Sequence, residues 1–160
     1  MSKENKSNPK KYKAMKKIGF VVVILIGILA LSTSFTHDKY MAPKNLPETA
    51  KAFLDKHFAG NRMVLVEKDI QFLDIEYEVT LADGTKINFD TKGEWKKIDC
   101  QCQPVPTSVL PQSIYNYVDN NFPHLSVVEI SKGHRNIKVE LSNRADLRFD
   151  KRGNVQSYED

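Results

Sequence analysis

IEYEVTLADGTKINFDTKGEWKKI, residues 75–98, decides how the rest of the chain is read. Ile75, Tyr77, Val79 and Leu81 alternate with Glu76, Glu78 and Thr80. Successive side chains of an extended strand point to opposite faces, so this run predicts a strand with one apolar and one wet face. Ala82, Asp83, Gly84 and Thr85 then supply turn chemistry, because glycine accepts positive φ and aspartate can bond its own backbone. Ile87 and Phe89 resume the alternation, Lys92 and Gly93 make a second turn, and Trp95 opens a third strand over residues 95–98. Such a meander has one greasy face and needs a second layer to cover it.

The same plan returns downstream. Ile137, Val139 and Leu141 alternate with Lys138, Glu140 and Ser142. Residues 143–146 hold the turn, Leu147 and Phe149 resume, and Asp150-Lys151-Arg152-Gly153 matches Asp90-Thr91-Lys92-Gly93. The segments ahead of the strands match as well. Leu46-Pro47 aligns with Leu110-Pro111, Phe53 with Tyr117, Leu54 with Val118, and Phe58 with Phe122. Both have apolar residues three and four apart, the stripe of an amphipathic helix, and a proline suited to the first turn. The offset is 64 residues at the helix and 60 at the Phe-Asp pair, so the second copy is expected to have shorter turns. The expected fold is α+β, a tandem duplication of a helix plus an antiparallel β-meander. Its parts are a first repeat over residues 46–99, a Cys- and Pro-containing linker over 100–109 and a second repeat over 110–160. Each repeat alone would be small for a stable core, so the two are expected to form one domain. Phe53, Phe58, Val79, Phe89, Val118, Phe122, Val139 and Phe149 are the expected core.

The N-terminus has a different purpose. Seven lysines and one glutamate lie within residues 1–34, and residues 18–31 are almost purely apolar. A basic start, a short apolar core and small residues after it make the pattern of a secretory signal, with cleavage expected near residues 33–35. The alternative is an uncleaved N-terminal anchor, the only membrane contact the sequence suggests. Residues 35–45 read as a polar linker. The whole chain carries a formal +4, from 24 basic and 20 acidic residues. Removing the first 34 residues leaves 17 basic and 19 acidic ones, so the basic character belongs to the targeting segment. It is no argument for binding nucleic acid.

Candidate chemistry is sparse. Cys100 and Cys102 are the only cysteines, one residue apart. In an oxidising compartment they are a candidate disulfide or thiol pair, although so short a ring is strained. A single C-x-C lacks the four ligands of a structural zinc site and the two-residue spacing of the usual redox motif. No serine stands in a nucleophile elbow, and neither H-E-x-x-H nor a phosphate-cradling glycine loop occurs. Asp90 and Asp150, each ahead of a glycine turn, are read as turn stabilisers. Glu76, Glu78, Lys138 and Glu140 occupy the wet faces of their strands and are the candidate binding surface. No catalytic residue, metal or cofactor is expected.

The duplicated unit resembles the PepSY-like family, which is similar to beta-lactamase-inhibitor proteins and occurs in exported proteins of Bacteroides-type bacteria. The resemblance rests on the Leu-Pro helix starts at 46–47 and 110–111, on Phe58 and Phe122, and on Phe89-Asp90 and Phe149-Asp150 ahead of Gly93 and Gly153. It implies a periplasmic or surface location and raises protein binding or modulation of an enzyme. The reading is therefore an exported non-catalytic module whose partner is a protein, a peptide or an envelope component. The alternative is a metal-binding or redox accessory protein acting through Cys100 and Cys102. Aromatic residues grouped on an exposed sheet face would favour the first.

Overall fold

The computed structural model describes residues 39–71 and 74–159. The expected signal segment lies outside the described residues. In chain order the elements are β1 (Lys39–Tyr40), a 3-10 turn (Pro43–Asn45), α1 (Glu48–His57), β2 (Met63–Gln71), β3 (Asp74–Leu81), β4 (Lys86–Phe89) and β5 (Trp95–Asp99). Then come α2 (Gln112–Asn121), β6 (Val127–Lys132), β7 (Asn136–Leu141), β8 (Asp146–Asp150) and β9 (Val155–Glu159). The nine strands form a single antiparallel sheet whose spatial order is the chain order. Two of the residues expected in the N-terminal linker form the short edge strand β1, and each repeat supplies four of the other strands.

Register explains why one face is apolar. Tyr77 lies opposite Phe89 and Val79 opposite Ile87, just as Ile137 faces Phe149 and Val139 faces Leu147. At the junction of the repeats Ile98 faces Ile130, so the apolar side of one half continues into the other. Both helices cover this side. Ala50 and Leu54 of α1, and Ile114 and Val118 of α2, are buried. Phe53 meets Phe89 edge-on with ring centroids 5.8 Å apart, and Tyr117 meets Phe149 edge-on at 5.5 Å. These geometries are the favourable ones for aromatic quadrupoles.

Five of the eight expected core residues, Val79, Phe89, Val118, Val139 and Phe149, are buried. Phe53, Phe58 and Phe122 are instead only partly buried against the core. The helices have ten residues each, too few to cover the sheet fully. Side chains at a helix flank or just past its end therefore stay partly wet. Phe122 completes its contact by stacking on Tyr158 of the edge strand at 5.6 Å.

The change of offset has one location. Val66 pairs with Val79, and its counterpart Ile130 pairs with Val139. The β2–β3 hairpin is thus four residues longer than β6–β7, and the other turns match in length. The Asp-x-x-Gly turns fit against the helix starts. Asp90 Oδ1 accepts the N–H groups of Lys92 and Glu94 at 2.8 and 2.9 Å. Asp150 Oδ1 does the same for Arg152 and Asn154 at the same distances. This is the turn role expected of both aspartates.

Candidate functional site

Alternation that buries one side of the sheet puts a charged array on the side that carries no helix among the described residues. Pairing arranges that array in rows running across the strands. One row contains Glu78, Asn88, Lys97, Ser131, Lys138 and Arg148 as successive opposite neighbours. The next contains Lys86, Asp99, Glu129, Glu140, Asp146 and Glu159. Five consecutive carboxylates on adjacent strands, about 4.8 Å apart by strand spacing, would repel one another. The neighbouring row supplies compensation. Lys97 reaches Glu129 at 2.8 Å, Lys138 reaches Asp146 at 2.7 Å and Arg148 approaches Glu159 at 3.4 Å. Asp99 Oδ1 accepts the Gln101 N–H at 2.8 Å.

The four residues picked from the sequence all lie on this face. Glu76 pairs with Lys96 at 2.5 Å and Glu78 with Lys86 at 3.1 Å. Lys138 pairs with Asp146, and Glu140 with Arg144 at 2.9 Å. They form two groups, on β3 and β7, four strands or roughly 19 Å apart. The hydrogen bond from Lys86 to Glu78 holds the lysine ammonium above its ordinary pKa, and the bond to Asp146 does the same for Lys138. Partly exposed pairs of this kind add at most about 1 kcal/mol each to stability. Their larger effect is to fix the positions of the charges. Asp99, Glu129, Asp146 and Glu159 were not singled out in the sequence. Each is one more polar position in an alternating run, and only the register aligns them.

Apart from Tyr40, exposed at the sheet edge opposite Glu67 in line with the first row, the described aromatic residues are elsewhere. Trp95 is buried and Tyr77 packs against the core from the helix side. Trp95 also receives the Lys132 ammonium, 3.5 Å from the ring centroid, where β5 meets β6. Among the described residues the open face is accordingly a charged surface with a single edge tyrosine and no aromatic cluster.

Cys100 and Cys102 are both free. Cys100 is buried, and burial pushes its thiol pKa up to about 11. A turn separates the two: the Gln103 N–H donates to the Cys100 carbonyl at 2.9 Å, and Gln101 has φ of 59°. One side chain is sent inward and the other into solvent. Among the described residues no three His, Cys, Asp or Glu side chains gather as a metal-ligand set. Further along the linker, Ser108 Oγ lies 2.9 Å from His57 Nδ1, tying the linker to the end of α1.

Residues 75–157 match the family model described as "Putative beta-lactamase-inhibitor-like, PepSY-like". The structure is similar to that of a "putative calcium-regulated periplasmic protein" of Bacteroides thetaiotaomicron. The TM-score is 0.75 and identity 33%, over 77% of this chain and 97% of that one. It is also similar to two proteins of Bacteroides vulgatus. One is a "putative periplasmic protein from DUF2874 family", with TM-score 0.74 and 31% identity over 78% of this chain and 98% of that one. The other is a "putative periplasmic protein of unknown function", with TM-score 0.74 and 29% identity over 77% and 99%. No curated protein matches the chain. A periplasmic or extracellular location, expected from the N-terminal segment, agrees with these relatives. With more than half of its length in the family model, and a third of its aligned residues shared with a protein it covers almost completely, the chain belongs to the PepSY-like, beta-lactamase-inhibitor-like family.

Proposed function

We propose that the chain is an exported, non-catalytic module of the cell envelope that binds a protein or peptide through the helix-free face of its sheet and modulates that partner. The observation that carries this reading is the face itself. It is one continuous surface over both repeats, and its charges are held in ordered rows by neighbouring cations. A sheet with helices on its other side presents this area with little backbone motion on binding. A specific interface needs about 1,200 Å² in total, which a surface of this extent can supply. With no aromatic patch, recognition rests on charge complementarity, which governs partner choice and on-rate more than raw affinity.

The test is a pull-down from the native envelope with the exported protein as bait. It is run with and without calcium, because one relative is described as calcium-regulated. Glu140→Lys with Lys138→Glu inverts the charges on β7 without touching the core. This variant is expected to lose the captured partner, whereas Cys102→Ser keeps it. Retention by the inverted face together with loss in Cys102→Ser would overturn the reading.

A further inference from the structure

The duplication serves as an internal template, and one repeat lacks a piece the other has. In the second repeat, β6 is flanked first by β5 and then by the linker. The Cys100 N–H donates to the Val128 carbonyl, and the Val105 N–H to the Val127 carbonyl, at 2.9 and 2.8 Å. With this strap alongside, Val128 is 3% exposed and Val127 4%. Val105 itself is buried and lines a groove with Tyr115, Asp119 and Val127.

In the first repeat β1 takes the place of β5. Tyr40 faces Glu67 as Lys97 faces Ser131, and Met41 donates its N–H to the Val66 carbonyl at 2.9 Å. Met41 thus corresponds to Ile98. From there the chain reaches the helix-opening leucine in five steps, at Leu46, against twelve from Ile98 to Leu110. Seven residues of strap are missing. Val64, the counterpart of Val128, is 51% exposed. The equivalent groove, of about 320 Å³, is lined by Met63, Lys51 and Asp55 together with Pro43 and Lys44.

We propose that the outer edge of β2 at residues 63–65 is a binding site for an extended segment of a partner polypeptide, seated as Val105 is seated in the second repeat. The segment presents one small branched apolar residue to Met63, and its backbone N–H groups reach the carbonyls of Met63 and Val64. Proline on either side, as Pro104 and Pro106 flank Val105, suits it because proline holds its neighbour extended before binding. This is strand addition to an open sheet edge, in which main-chain bonds give affinity and a side-chain pocket gives selectivity. The site lies at the sheet edge and is independent of the helix-free face.

The probe is a synthetic peptide with the sequence of residues 99–108, both cysteines replaced by serine, added to the ¹⁵N-labelled exported protein. Saturable amide shifts at Met63, Val64 and Leu65 are expected, with Kd below about 1 mM. A peptide carrying Val105→Asp should bind at least tenfold more weakly. In the protein, Val64→Arg should abolish the shifts and leave Tm nearly unchanged, since Val64 is an exposed bulge residue. Shifts at Val127 and Val128, or none at 1 mM peptide, overturn the proposal. So does full binding by the Val64→Arg protein. Shifts at residues 63–65 that grow with protein concentration alone would assign the edge to a second copy and overturn it too.

Discussion

Replacing Gly153 by alanine tests whether the Asp-x-x-Gly turn seats each helix on its sheet. Gly153 has φ of 86°, where an L-residue is strained by about 1–2 kcal/mol. An added Cβ would also overlap Ser113 Oγ and lie 2.6 Å from Ser113 Cβ, in the first turn of α2. Forcing a methyl group into packed space adds about 1–3 kcal/mol. Gly153→Ala is therefore expected to cost about 2–5 kcal/mol, a large share of the ~5–15 kcal/mol that holds a domain together. Gly84 supplies the control. Its φ is 90°, but the nearest atom to a new Cβ is Gln101 Cγ at 4.0 Å, so Gly84→Ala should show the backbone strain alone. Combining Gly153→Ala with Ser113→Gly removes the overlap and should recover the packing part, about 1–3 kcal/mol, as a coupling energy. Urea titrations with equal m-values read these differences. A Gly153→Ala cost no larger than that of Gly84→Ala, or one unchanged by Ser113→Gly, would refute the seating role.

Phe89→Ala and Phe149→Ala should each cost about 3–5 kcal/mol in the same titrations, because both rings are fully buried. Gly93→Ala should match or exceed Gly153→Ala, since its Cβ would lie 2.8 Å from the Ala50 backbone nitrogen, which cannot turn aside. In the native protein Cys102 should react with an alkylating reagent while Cys100 stays unmodified by mass spectrometry, its thiol being buried with a pKa near 11. The His57 pKa is lowered, first by desolvation and then by Lys56. The native state therefore favours the neutral ring, stability from this group is present above the unfolded value of 6.5, and it is lost as pH falls through the folded pKa. NMR titration should place the His57 midpoint below 6.5, and His57→Asn should flatten the stability profile between pH 7 and 5.

The sequence showed some parts of this architecture better than others, for physical reasons. A two-residue period states which side chains share a face, so Tyr77, Val79 and Ile87 were assigned together, as were Glu76 and Glu78. Period does not state which residues lie opposite. The carboxylate row needs Asp99 to meet Glu129, 30 residues away across a helix, and that depends on backbone pairing. The half-wet state of Phe53, Phe58 and Phe122 depends on helix length against sheet width, which no stripe encodes. Lys39 and Tyr40 form a strand only because β2 offers them an edge. The C-x-C pair looked like a candidate bond in one dimension. The left-handed Gln101 between them turns the thiols apart.

The strand order has a consequence for how the chain folds. Because spatial order equals chain order, six of the eight pairings are hairpins whose loops close over a few residues. Only β1–β2 and β5–β6 must span a helix. Loop-closure entropy rises slowly with length, and proteins rich in short-range pairings fold faster than all-β folds of high contact order. Pairing within each meander can therefore start locally, while the Ile98–Ile130 seam, closed across a helix, is what joins the two into one stable sheet. A chain with two similar meanders also risks joining the wrong ones. The Lys132 ammonium over Trp95 and the Lys97–Glu129 pair mark the correct seam, since the matching positions elsewhere carry Val155 and Leu65.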